Sequence, residues 1–260
     1  MKIRNSVKVH LMNLSIFKSI RRHFRTSHLA RSAREYLMFI CPPPRAMRIL
    51  VKRMQILKID TVLDVGANVG QFGVDLRRNG YQGKIFSFEP VHSNFNVLLS
   101  TSRNDDNWEV FHKALGERNE ILKINVSGND GLSSSILPMG KTHQEVFPQS
   151  RYEYSEEVTI ETLLEQFSTL GIDPKTTLLK MDVQGFERKV LLGGIEIIPE
   201  IPLCYFEASL SPLYEGEASF LELLKLLDSL GHHVADLFRG ALDQRGQLLQ
   251  VDVLSSSIDG

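Results

Sequence analysis

At 260 residues, 42% hydrophobic and 23% charged, the chain has the balance of a folded domain with a buried core, which excludes a disordered or fibrous protein. Its formal net charge of −1 hides a division: residues 1–53 hold 13 Lys/Arg and one acid, Glu35, leaving 17 basic and 30 acidic residues in 54–260, a +12 arm before a −13 body. Two cysteines, Cys41 and Cys204, exclude a disulfide framework and a Cys-x-x-Cys metal site, and no apolar run approaches the ~20 residues of a membrane span.

The basic arm, residues 1–53, reads as helical pieces over roughly Asn5–Arg25 and His28–Ile40, then Pro43–Leu57 after the break at CPPPR. Leu11, Leu14, Ile16, Phe17, Ile20 and Phe24 form an approximate apolar stripe beside Lys18, Arg21, Arg22 and Arg25. An amphipathic, charge-rich helix of this kind is expected to pack as a surface extension on the acidic body. The second reading is peripheral contact with anionic lipid at the inner membrane face. No signal peptide is read, because His10 and Asn13 interrupt the apolar stretch. With no disulfide framework, a cytoplasmic location is expected. Nucleic acid is not an expected partner, since no stacking aromatics interleave the basic residues.

TVLDVGANVGQ, Thr61 to Gln71, organises the body. The run Val62, Leu63, Val65 predicts a buried strand. Gly66, Asn68 and Gly70 predict a tight turn that a ligand can approach, and Gln71–Arg78 an amphipathic helix whose open end offers free N–H groups. Asp64 adds a carboxylate that would favour a ligand with positive charge. The spacing Gly66, Gly70, Gly73 differs from the dinucleotide pattern G-x-G-x-x-G, and Asp64 would repel a pyrophosphate. The pattern D-x-G-x-N-x-G resembles motif I of the S-adenosylmethionine (SAM) methyltransferases, and more narrowly the FkbM family.

KIFSFEP, Lys84–Pro90, is a second strand ending on Glu89, so strand, helix and strand make a βαβ unit with a parallel sheet. A carboxylate at that strand end can accept both hydroxyls of a ribose. His92–Ser102 reads as a helix and Trp108–Leu115 as a third strand closed by Gly116. The family resemblance implies that Ala114 and Leu115 wall the adenine ring. Ile121–Gly128 alternates as a half-exposed strand, expected to pair antiparallel with the third. Asn129–Glu157 lacks periodicity and reads as a long loop. Its Ser133, Ser134 and Ser135 resemble a family pattern that implies a wall over donor and acceptor, with Ser134 placed among the donor-binding residues.

VTIETLLEQF predicts a helix starting near Thr159 or Glu161 and stopped by Gly171. TTLLKMDVQGFE is a second strand–acid–glycine–helix corner, which puts Asp182 in the same crevice. It resembles the family's K-x-D-V-E-G-F-E, with Gln184 where Glu is common. Lys180 is expected to be structural, pointing away if Asp182 points in. Ile201–Ser209 is a fifth strand ending in Glu207, Ser219–His233 a Leu-striped helix, and HVADLF and LLQVDVLSS an antiparallel hairpin. His232 and His233 lack ligand partners and are expected to be solvated, so no metal site is expected.

The resemblance covers roughly residues 60–235. It implies an α/β fold, Rossmann-like with a seven-stranded, mostly parallel sheet (a class I methyltransferase), with residues 54–260 as the catalytic domain behind the helical extension. It further implies methyl transfer from SAM to a hydroxyl on a sugar or glycan, lipid-linked saccharide or natural product. The expected donor-binding residues are Asp64, Gly66, Asn68, Gly70, Glu89, Ala114, Leu115 and Ser134, with Asp182 and Glu207 catalytic. An NAD-dependent oxidoreductase and a non-catalytic SAM-fold binding protein are the alternatives.

Overall fold

A computed structural model of the chain describes residues 44–257. The expected helices over Asn5–Arg25 and His28–Ile40 lie outside the described residues. The first described element is helix α1 (Pro44–Ile56). Met47, Leu50, Val51 and Met54 recur at helical spacing and are buried against Val62, Phe72, Leu76 and Leu178. The expected boundary between 53 and 54 therefore falls inside a helix whose apolar face belongs to the body.

The main sheet has seven strands in the order β3-β2-β1-β7-β8-β10-β9. They are β1 (Thr61–Val65), β2 (Lys84–Phe88), β3 (Trp108–Phe111), β7 (Thr177–Met181), β8 (Leu203–Ser209), β9 (His232–Arg239) and β10 (Gln250–Ser257). Strands β3, β2, β1, β7 and β8 are parallel, and β10 runs antiparallel to both its neighbours. β1 and β7 are buried along their whole length, which requires the near-continuous apolar runs seen there. Helices cover both faces. On one, α1 and α2 (Gln71–Arg78) pack over Val62, Leu178 and Tyr205. On the other, α6 (Glu187–Leu192) and α7 (Phe220–Ser229) pack over Leu179, Met181 and Phe206. The helix α3 (His92–Ser102) follows β2.

A second sheet of three strands, in the order β4-β6-β5, lies between β3 and β7 in the chain: β4 (Ala114–Gly116), β5 (Glu120–Ser127) and β6 (Tyr152–Thr162). Two expectations change here. The expected strand Trp108–Leu115 is split: β3 pairs with β2, whereas β4 pairs parallel with β6. β5 is a strand as expected, yet its antiparallel partner is β6 and not the third strand. β6 occupies the end of the expected loop and the start of the expected helix. Only Val158 and Ile160 of β6 are buried, so its other positions carry Glu, Ser and Tyr and hide the strand signal. The helix itself, α5 (Leu163–Leu170), begins behind the Thr162 cap, whose hydroxyl accepts the Glu165 N–H, and ends at Gly171 in the left-handed region. The six-residue helix α4 (Lys141–Val146) lies between β5 and β6.

His232 is buried rather than solvated, its ring bonded to the Ile198 carbonyl and the Ser255 hydroxyl, because it opens β9 beneath the 198–200 turn. His233 is exposed as expected. Among the described residues no helix is long and apolar enough to cross a membrane.

Candidate active site

The strands β1, β2, β7 and β8 point their carboxyl ends to one side, and the acids follow at those ends. At the first corner Gly66, Asn68 and Gly70 all have positive φ, of 75°, 49° and 92°. The backbone N–H groups of Gly66 and Ala67 both donate to the Phe88 carbonyl, which ties the turn to β2. A Cβ on Gly66 would overlap the Asp182 carbonyl oxygen, and one on Gly70 would press on Leu98 and Trp108. These glycines bring the β1 and β7 corners together as well as turning the chain. The space beside their α-carbons is filled by protein, so any ligand meets the other side of the turn.

Asn68 links three segments. Its N–H donates to Glu89 Oε2 at 2.7 Å, its Oδ1 accepts from Val69 and Gln71, and its Nδ2 reaches the Asp130 carbonyl at 3.5 Å. Glu89 is buried at the end of β2, and its Oε1 accepts the Val91 N–H at 2.8 Å. Each oxygen keeps a lone pair, so the carboxyl can still accept from a diol. Burial pushes Glu89 up to about 7, against the two backbone donors.

Asp64 is not at the open crevice. Its carboxylate is fully buried, 2.8 Å from Lys180 Nζ, and accepts from the Ser87 hydroxyl. In place of the expected positively charged ligand, Asp64 has an internal ion pair, because it and Lys180 stand opposite each other in the β1–β7 register. Lys180 also donates to the Gly66 carbonyl at 2.8 Å. It is structural, as expected, but on the wrong stated side: positions two apart share a face, so Lys180 lies on the Asp182 side. Burial opposes its charge, and Asp64, Asp182 and Glu89 outweigh burial, leaving its pKa raised.

Leu115 packs into the main core and cannot wall a ring, because β4 turns it inward. Ala114 packs against Ile160 and Phe186. Ser134 serves its own turn, its hydroxyl accepting the Ser127 N–H at 3.1 Å. It is Ser135 that reaches the second corner, donating to the Gln184 carbonyl at 2.7 Å.

At that corner Gln184, with φ of 52°, holds the two acids. Its Nε2 donates to Asp182 Oδ1 at 2.6 Å and to Glu207 Oε2 at 3.2 Å, while its Oε1 accepts from the Tyr214 hydroxyl at 2.7 Å. A Glu here would set a third carboxylate against two others, so an amide suits this neighbourhood. Gln250, which no sequence pattern singles out, donates to Glu207 Oε2 at 2.7 Å. Burial, then Asp182, Asp252 and Glu187, drive Glu207 well above the usual carboxylate range. Nearby, Glu217 binds the Leu213 and Tyr214 N–H groups and orders the segment after β8.

Beside Asn68 opens a cleft of about 530 Å³, bordered by Gln71, Asn94, Val97, Gly131 and Tyr154. Asn94 is 6% exposed and its Nδ2 has no partner. Among the described residues no group of His, Cys, Asp and Glu is arranged to hold a metal.

A seven-stranded sheet in this order, with a glycine turn after β1 and an acid after β2, defines a SAM-dependent methyltransferase fold. The methyltransferase FkbM domain model matches residues 64–234, and the chain belongs to that family. Its methyl donor is S-adenosylmethionine. The chain is 28% identical over 209 residues to the 2-O-methyltransferase NoeI of Sinorhizobium fredii (strain NBRC 101917 / NGR234), covering 77% of this chain and 85% of that one. Among solved structures it resembles magnesium protoporphyrin IX methyltransferase from Synechocystis PCC 6803, with TM-score 0.45, 9% identity, and 82% and 79% of the two chains covered. Fibrillarin from Aeropyrum pernix gives TM-score 0.41 at 13% identity, over 76% of this chain and 66% of that one.

The residues present fit this donor. Glu89 keeps lone pairs free for a ribose diol, and the unpartnered Asn94 Nδ2 beside the glycine turn can donate to an acceptor atom of the donor.

Proposed function

We propose that the protein transfers the methyl group to a hydroxyl oxygen of a saccharide. When bound, SAM supplies an electrophilic methyl carbon. Glu89 accepts hydrogen bonds from the donor's ribose, and the Gly66–Gly70 turn shapes the pocket for its methionine part. The unpartnered Asn94 Nδ2 beside that turn supports a ligand with an acceptor atom there. Asp182 faces the reacting centre, and Glu207 takes the proton of the attacking hydroxyl.

One observation carries this reading: Asp182 and Glu207, from neighbouring strands, are drawn to a single amide, Gln184 Nε2, next to the glycine turn. An alcohol is a weak nucleophile until its proton leaves, and a positioned base contributes ~10²–10⁴-fold. Glu207, raised by burial and neighbouring acids, takes up a proton more readily than an ordinary carboxylate. Holding the reacting atoms in line supplies up to ~7–11 kcal/mol more. The likeness to a 2-O-methyltransferase supports oxygen as the receiving atom.

The test is transfer of tritiated methyl from SAM to a panel of methyl glycosides, with the wild type beside Glu207→Gln. Labelled ether on a glycoside, lost in Glu207→Gln while SAM still binds, is the expected result. Full turnover by Glu207→Gln removes the base assignment. Label found only on nitrogen-containing acceptors overturns the saccharide reading.

A further inference from the structure

Gln250 lies past residue 234, outside the span matched to the family. It is the first residue of β10, opposite Ser209 of β8. It is 2% exposed. Its Nε2 and that of Gln184 converge on the same atom, Glu207 Oε2, at 2.7 and 3.2 Å. Among the described residues both hydrogen bonds to the Glu207 side chain go to Oε2 and none to Oε1, and the side-chain oxygen of Gln250, Oε1, has no partner. An ionised carboxylate accepts only, so towards ionised Glu207 the facing Gln250 atom is the amide nitrogen.

Two donors on one oxygen draw negative charge to it and fix the plane of the group. We infer that Gln250 is a positioning residue for Glu207, clamping Oε2 with Gln184 so that Oε1 is the oxygen that receives the acceptor's proton. This rests on the reading of Glu207 as the base. In the step it serves, the hydroxyl proton passes to Oε1 as the hydroxyl oxygen bonds the methyl carbon. The electron pair of the breaking carbon–sulfur bond stays on sulfur.

The clamp also sets when Glu207 holds its proton. Burial raises its pKa most, and Asp182 after β7, Asp252 on β10 and Glu187 on α6 face it with like charge and raise it further. Tyr205 on β8 and Tyr214 after it lie within the same field. The amide donors stabilise the ionised form and work the other way.

The experiment is a carboxyl-carbon NMR titration of glutamate-labelled protein without donor or acceptor, with the Glu207 signal assigned by its loss in Glu207→Gln. Gln250→Leu is expected to move the Glu207 midpoint up by ~1 pH unit. The dissociation constant for SAM should stay within about two-fold, since the clamp does not touch the donor. Gln184→Leu should move the midpoint the same way, and it serves if Gln250→Leu fails to fold. With a methyl glycoside that takes up label as acceptor, kcat should fall ~10–100-fold, with its acid limb displaced to higher pH and KM for SAM unchanged.

A midpoint unmoved in either folded variant overturns the clamp. A merely structural Gln250 would lower the melting temperature and leave the midpoint and acid limb in place, and that too overturns it. Because the titration uses neither substrate, it stands or falls separately from the choice of acceptor. Full turnover by Glu207→Gln sinks the base reading and this inference with it, whatever the midpoint does.

Discussion

Glu89 and Asn68 lie on different strand ends, 21 residues apart, yet Glu89 Oε2 accepts the Asn68 N–H at 2.7 Å. The acid proposed for the ribose is thus also the anchor of the glycine turn. Glu89→Ala should weaken SAM binding by more than a single lost contact, ~100-fold or beyond, because the turn loses its tether as well. Glu89→Gln should lose less, as its amide oxygen can still accept the Asn68 N–H. Isothermal titration with SAM separates the two, and equal affinity in wild type and Glu89→Ala would remove the ribose assignment.

Gly66→Ala should destabilise the protein by ~3 kcal/mol or more. The new methyl meets the Asp182 carbonyl, which is backbone and cannot swing aside, at a φ of 75°. Urea denaturation reads the loss. A change within ~0.5 kcal/mol of wild type would mean that the two corners are not in contact.

The Asp64–Lys180 pair calls for a double-mutant cycle. Lys180→Met alone leaves an unpaired buried carboxylate and should cost ~3–5 kcal/mol. Asp64→Leu combined with Lys180→Met should recover part of that loss, since an apolar pair carries no desolvation penalty. Additive losses would place the two charges apart.

Burial pushes the Glu187 carboxyl up to about 8, above its usual value of 4.5. Between those values the folded state holds a proton that the unfolded chain has released, so stability falls as pH rises through the window. Glu187→Gln keeps an acceptor for the Val183 N–H and removes the titration. The fall in melting temperature from pH 5 to pH 8 should therefore be shallower in Glu187→Gln. His143, driven down to about 4 by burial, works oppositely and lowers stability as pH drops from 6.5 towards 4.

The main sheet was legible because its inner strands are buried on both faces, and a near-continuous apolar run with Asp or Glu at or near its end marks them. Asp182 and Glu207 are where strand counting puts them. The inserted sheet was not legible, because β6 buries only Val158 and Ile160 and reads as a charged loop. Asp64 was misassigned since the sequence places it at a strand end without showing that Lys180 is its register partner. The strand expected to run through Ala114 and Leu115 was misplaced because the chain leaves the main sheet at His112, a jump with no local signature. Gln250 could not be found from sequence, because its link to Glu207 spans 43 residues and depends on which strand β10 lies beside.

That placement governs the order in which these strands can pair. β10 follows β9 in the chain yet lies inside it, between β8 and β9. During synthesis β9 emerges first and waits, for its neighbour in the main sheet has not yet been made. Only when residues 250–257 leave the ribosome can they slot in, dock β9, and deliver Gln250 to Glu207. The docking of β9 and the arrival of Gln250 at Glu207 thereby depend on the same strand, and a nascent chain stopped short of residue 250 would have neither.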